Sequence, residues 1–168
     1  MLNPIDTDSV IRDGGAVGKY PNEIHEGVAW WLGACLVITQ QATRIAVAHD
    51  GHPITTKFAH RFCSGAINAQ HYACNVRFIG HQTEEQLLKA LTHFNGVPGA
   101  MLTASGTDDA PTIHIKLFNH QGIVLDNTNG LAEIRRLIAE DRVPIPVNTQ
   151  AKGTIEPWQH RLAEGGRA

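Results

Sequence analysis

The sequence is short of most features that would mark it for a special environment. Its 168 residues include three cysteines, Cys35, Cys63 and Cys74, with no CxxC spacing among them. That excludes a disulfide scaffold and suits a reducing compartment. The longest apolar run, Val28 to Ile38, is too short to cross a bilayer, and its acidic N-terminal flank is unlike that of a signal peptide. Charge of either sign is sparse: 14 basic residues stand against 16 acidic ones, for a net charge of −2 and a pI near 6.5. Neither a nucleic-acid-binding surface nor a basic tail is expected from that balance. There is no internal repeat and no low-complexity tract. These absences lead to the expectation of one soluble, cytoplasmic domain, with neither membrane nor nucleic acid among its partners. At this length folding buries about 68–70% of the unfolded chain's surface, enough for a core without staples.

What is present is an alternation of short apolar runs and helical stripes. Residues 1–10 read as an extended arm, and Arg12 to Lys19 as a glycine-rich turn. Asn22 as N-cap, followed by Ile24, Val28, Trp31, Leu32 and Cys35 at helical spacing, predicts a helix from Pro21 to Ile38. Arg44 to Ala48 reads as a buried strand, and Pro53 opens a helix that turns Phe58, Phe62, Ala66 and Ala69 to one side. Val76 to Ile79 is a second strand. Thr83-Glu84-Glu85-Gln86 has capping-box spacing ahead of Leu87, Leu88, Leu91 and Phe94. Gly99 to Thr103 and Ile113 to Phe118 are further strands, with a hairpin turn at Gly122, and Leu131, Ile134, Leu137 and Ile138 mark a last helix ending near Arg142. The pattern predicts an α/β class: a three-layer α/β/α domain over residues 1–142, with a mixed sheet of about four strands and helices on both faces. Residues 143–168, opening on Val143-Pro144-Ile145-Pro146, read as linker and tail with a short helix near Pro157 to Ala163.

In open α/β sheets ligands bind beyond the carboxyl ends of the strands. Three loops lie there: His49 to His52, Gly80 to Thr83, and Thr103 to Asp109. Ser105, directly after an apolar strand and beside Gly106, is open to approach, although a turn serine making a local hydrogen bond reads the same way. Gly14 to Lys19 is one residue short of a Walker A loop, with Tyr20 where a metal-binding hydroxyl is needed. No GxGxxG follows the first strand, and Ser105 lacks a nucleophile-elbow frame. Ten histidines raise a metal reading through His49, Asp50, His52, His114 and His120, against which stand their loop positions and the lack of a cysteine partner.

The loops also come in a familiar order. Ile11-Arg12 with Val17-Gly18, then Val47-Ala48-His49-Asp50-Gly51-His52 with Thr55-Thr56, then Gly80 and Thr83, resemble motifs of the α-D-phosphohexomutases, the phosphomannomutase/phosphoglucomutase family. Gly99-Ala100-Met101-Leu102-Thr103-Ala104-Ser105, followed by Ile115-Lys116-Leu117-Phe118 and Gly122, is similar to that family's Thr-Ala-Ser-His-Asn-Pro segment and the Gly-Ile-Lys strand after it. The resemblance covers residues 10–142, and Gly153 to Leu162 resembles the stretch leading into the family's second domain.

What the resemblance implies is a phosphoserine domain of carbohydrate metabolism, an intramolecular phosphotransferase fold. The serine matching Ser105 would carry the phosphoryl group and, through it, meet a Mg2+ ion. Lys116 would stabilise charge or move a proton, and Arg12 would serve as a cationic donor. His49, Asp50, His52, Thr103, Gly106 and Thr107 would neighbour the phosphate. The departures are specific. Gly106, Thr107 and Asp108 replace His-Asn-Pro, His49 and His52 replace two arginines, Glu84 replaces a proline, and Asp108-Asp109 brings negative charge. The family's Asp-Gly-Asp-x-Asp-Arg metal loop has no counterpart in the sequence. The expectation is a truncated, divergent module that is not a complete mutase alone, acting on a sugar phosphate if active. The alternative is a non-catalytic module that binds an anion or a protein. A partner chain, a second copy or the chain's own tail is expected to cover an exposed face, with Pro157 to Leu162, anchored by Trp158, packing on the domain or on a partner subunit.

Overall fold

The computed structural model of the chain describes residues 5–69, 72–143 and 152–158. In chain order its elements are α1 (Thr7–Val10), β1 (Gly15–Lys19), α2 (Glu26–Gln40), β2 (Arg44–His49), α3 (Pro53–Ile67), β3 (Asn75–His81), α4 (Glu84–His93), β4 (Gly99–Ser105), β5 (Thr112–Phe118), α5 (Leu131–Ala139) and β6 (Thr154–Pro157). The strands form one six-stranded sheet in the order β1-β5-β4-β2-β3-β6. Strands β4, β2, β3 and β6 are parallel neighbours, and β5 runs antiparallel between β1 and β4.

The topology dictates the layers. Strand β2 leads through α3 to its neighbour β3, and β3 returns through α4 past β2 to β4. Parallel crossovers are right-handed, so two that run in opposite directions along a sheet put their helices on opposite faces. Side-chain alternation follows suit. Ile45, Val47, Ala100, Leu102, Ile113 and Ile115 join the core under α2, α3 and α5, while Ala46, Ala48, Ile79 and Met101 meet Leu87, Ala90 and Leu91 of α4. On the first face α2 and α3 lie backbone to backbone. A Cβ on Gly33 would stand 2.1 Å from the Phe62 carbonyl oxygen, and one on Gly65 2.0 Å from that of Trp30.

Six strands replace the expected four, and the reasons are local. Arg12 to Lys19 was expected to be all turn, yet only its first half turns. Gly15 lies so close to β5 that a Cβ would fall 1.8 Å from the Ile115 carbonyl oxygen, so glycine there serves strand approach rather than a bend. Strand β6 has four exposed residues and no apolar run to announce it. The expected arm over residues 1–10 contains α1, capped by Asp6, whose carboxylate accepts from the Ser9 amide and hydroxyl. Helix α2 starts at Glu26 instead of Pro21. The Glu23 carboxylate folds back onto the Lys19 amide at 2.7 Å, and the His25 ring rather than Asn22 caps the helix. The capping box at Thr83 and Gln86 and the Pro53 helix start are as expected.

Pro157 closes β6 and does not open a helix. Residues 159–163 of that expected helix, and residues 144–151 after α5, lie outside the described residues. Trp158 packs on the α4 side, with its ring 4.8 Å from that of Phe94 and 5.1 Å from that of His93.

Candidate functional site

Strand β4 outruns its neighbour. Leu102 is level with His49, the last residue of β2, so Thr103, Ala104 and Ser105 project beyond it. Ser105 ends the strand, exposed to solvent. Gly106 follows at φ +83° with open space around it, which lets the chain turn away and leaves the hydroxyl clear.

One carboxylate secures this projecting end. Asp50 accepts from the Ala104 amide at 2.7 Å, from the Thr55 hydroxyl at 2.5 Å and from the His52 amide at 3.1 Å. Its own amide donates to the Leu102 carbonyl at 3.0 Å. The start of α3 is thereby tied to the residue before Ser105. Burial pushes the Asp50 carboxyl up, but the three donors and the nearby His52 ring outweigh it and hold the group below the usual carboxylate range.

The flanking histidines part company. His52 caps α3 by accepting from the Ile54 amide through Nδ1, and its Nε2 stands 3.6 Å from Asp108 in the loop after Ser105. His49 is buried and shares the sheet face of Leu102, opposite to that of Ser105. Its Nδ1 accepts from the Gly51 amide, and its ring lies 5.6 Å from Phe78 and 6.4 Å from His81. Burial foremost, then the His81 and His60 charges, lowers its pKa against the opposing pull of Asp50.

On β5, alternate residues share the face of Ser105. Thr112 is opposite Ser105, His114 opposite Thr103, and Lys116 opposite Met101. The Lys116 ammonium donates to Glu84 at the start of α4 at 2.9 Å. His114 Nε2 lies 2.8 Å from the Asp13 carbonyl oxygen, in the turn that also carries Arg12. The Arg12 Nε donates to the Ser9 carbonyl, and its outer nitrogen pairs with Asp13.

Of the residues singled out from sequence, Thr103, Ser105, His52, Asp50 and the loop Gly106–Asp108 meet at the end of β4, while Lys116 sits lower on the same face. His49 is turned away. His120 is exposed in the turn after β5. Among the described residues no three carboxylate, imidazole or thiol side chains converge to hold a metal. Thr55 and the Ala104 amide as partners of Asp50, and Glu84 as partner of Lys116, were missed. The departure from proline at position 84 was the one available signal.

A family model described as phosphoglucomutase/phosphomannomutase, alpha/beta/alpha domain I, matches residues 10–143. Among solved structures, a phosphoglucomutase/phosphomannomutase family protein from Burkholderia thailandensis superposes with a TM-score of 0.70 at 15% identity, over 93% of this chain and 34% of that one. A structure from Thermus thermophilus, described as a candidate phosphomannomutase, gives 0.66 at 19% identity, over 96% of this chain and 34% of its own. The chain thus spans about a third of the length of these two structures. No curated protein matches its sequence.

Proposed function

From the premise that the chain belongs to the phosphoglucomutase/phosphomannomutase family, as its α/β/α domain I, we propose that it is a phosphoserine module in which Ser105 takes a phosphoryl group from a hexose bisphosphate and returns one to a hexose monophosphate. The observation that carries this reading is the β4 terminus. Ser105 is exposed, while the residue behind it is pinned by Asp50 at 2.7 Å. Phosphoryl transfer asks a protein mainly for positioning and charge neutralisation, and the clamp supplies the first.

Charge is the weaker provision. Arg12 and Lys116 supply positive charge through the turn before β1 and through β5, but each is paired with a carboxylate, Asp13 and Glu84 respectively. Asp108 and Asp109 bring negative charge to the loop, and the His52 ring faces the first of them. The resemblance implies a magnesium ion, which would neutralise phosphoryl oxygens. The described residues offer it no converging ligand set, so no step is assigned to it here.

The test is the intact mass of the protein before and after incubation with a hexose 1,6-bisphosphate and magnesium, with Ser105→Ala alongside. A gain of one phosphoryl group on the unaltered chain only is the expected result. No gain on either would sink the reading and leave a non-catalytic module that keeps the fold to bind an anion or a protein. The ion-paired state of both cations favours that second reading.

A further inference from the structure

The Asp50 clamp works only if the turn from β2 into α3 holds its shape, and the two peptide planes flanking Asp50 are held in different ways. The plane before it is fixed by the sheet. The Asp50 amide donates to the Leu102 carbonyl at 3.0 Å, and the His49 carbonyl accepts from the Gln82 amide at 3.1 Å. The plane after it lies beyond the sheet. Its amide, that of Gly51, donates to His49 Nδ1 at 3.0 Å and has no other acceptor among the described residues. Gly51 sits at φ +84°, and glycine takes either sign of φ, so backbone sterics alone do not keep this plane from rotating. Rotation would carry the His52 amide and the Thr55 hydroxyl away from the Asp50 carboxylate, which accepts from them at 3.1 and 2.5 Å. The Ala104 anchor would then be cut off from α3.

The His49 ring is built in as an acceptor. It is buried, 5.6 Å from the Phe78 ring and stacked 6.4 Å from that of His81. His81 also closes over the turn, since a Cβ on Gly51 would fall 2.8 Å from its ring. A backbone amide can only donate, so Nδ1 keeps the lone pair and Nε2 carries the hydrogen. Burial, which lowers the pKa, keeps the lone pair available at neutral pH. His25 and His52 also accept from the amide two residues on, but each does so as the N-cap of a helix. His49 instead closes a turn that carries a working side chain.

We propose that His49 is the positioning residue for the Ser105 end of β4. By accepting the Gly51 amide, its imidazole fixes the turn that brings the Asp50 carboxylate to the Ala104 amide and α3 to Asp50. The bearing of this on phosphoryl transfer rests on the reading of Ser105 as the phosphoryl acceptor. The fixing of the turn does not.

The experiment compares the unaltered chain with His49→Asn and His49→Phe at pH 7.5. Asparagine supplies an oxygen in the place of Nδ1, able to accept from the amide two residues on, whereas phenylalanine keeps a ring without an acceptor. Nitrogen-15 NMR reads the His49 tautomer in the unaltered chain, and hydrogen exchange reads the Gly51, His52 and Ala104 amides, with Leu91 in α4 as the reference for an intact fold. Intact mass follows the rate of phosphoryl uptake from a hexose 1,6-bisphosphate. The expected results are a lone pair on Nδ1 and exchange about tenfold faster at the three amides in His49→Phe, with Leu91 unchanged. Uptake in that variant is expected to be roughly tenfold slower. His49→Asn restores both to within threefold of the unaltered chain. A hydrogen on Nδ1, unchanged exchange in His49→Phe, or His49→Asn as loose as His49→Phe would each overturn the proposal. Should Leu91 lose protection in His49→Phe, the decision passes to His49→Asn, where kept protection upholds the proposal and lost protection overturns it. Uptake unchanged in His49→Phe while its amides loosen would also overturn it, because the turn would then not serve Ser105. No uptake by the unaltered chain removes the phosphoserine reading and leaves the exchange comparison to decide the role of His49.

Discussion

Replacing Asp50 tests the claim that one carboxylate secures the working end of β4. Asp50→Ala removes the acceptor for the Ala104 amide at 2.7 Å, the His52 amide at 3.1 Å and the Thr55 hydroxyl at 2.5 Å. Hydrogen bonds to a charged group contribute about 1.5–3 kcal/mol each. The three do not simply add. The buried Thr55 hydroxyl keeps its contact with the His52 carbonyl at 3.0 Å, and the site is only half-buried, which lets water replace part of what is lost. The expected cost is about 2–4 kcal/mol, most of it at Ala104. Asp50→Asn presents one oxygen and one NH2, so it cannot accept on both sides, and about half that loss is expected.

Urea unfolding followed by circular dichroism reads both values. Because the folded-state pKa of Asp50 is lowered, its contribution is fully present above the unfolded value near 3.8 and is lost as pH falls through the folded value. The gap between the unaltered chain and Asp50→Asn should therefore be constant from pH 8 down to 5 and shrink below about pH 4. An Asp50→Ala variant within about 0.5 kcal/mol of the unaltered chain at pH 7 would refute the clamp.

Three further outcomes are expected. Gly33→Ala drives a methyl group against the Phe62 carbonyl and should cost about 1–3 kcal/mol by overpacking, seen as a fall of several degrees in Tm. An unchanged Tm would mean that α2 and α3 do not touch through their backbones. Trp158→Ala removes the ring on Phe94 and should release β6, so that the amides of residues 154–156 exchange hydrogen faster while β4 keeps its protection. Uniform exchange in both regions would contradict this. Burial pushes the thiols of Cys35, Cys63 and Cys74 up to about 12, so a thiol-disulfide reagent at pH 8 should label none in the folded state and all three in denaturant. Rapid labelling of any one in the folded chain would show that its site opens.

Membership of the family and the α/β alternation were legible because both are written locally. The motif order from Ile11 to Gly122, the capping box at Thr83 and the period of each apolar stripe depend on residues near each other in sequence. The two outer strands were not legible, for opposite reasons. Strand β1 is made of residues whose composition signals a turn, and Gly15 is needed only because β5 presses on it. Strand β6 carries no apolar pattern, and exists because the edge of β3 offers unpaired backbone groups beside it.

At the site, the sequence alone determined which chemical groups sit at strand ends: a serine beyond an apolar strand, and a loop of histidines and an aspartate after another. Only the tertiary structure decided what each does. Alternation along β2 sends His49 to the buried face, while the projection of β4 past its neighbour brings Asp50 to the Ala104 amide, 54 positions away. Ladder register sets Lys116 low against Met101 and His114 beside Thr103. The physical reason is that facing and register are properties of pairs of strands. A one-residue slip in pairing would exchange the buried and exposed sets without altering a single residue.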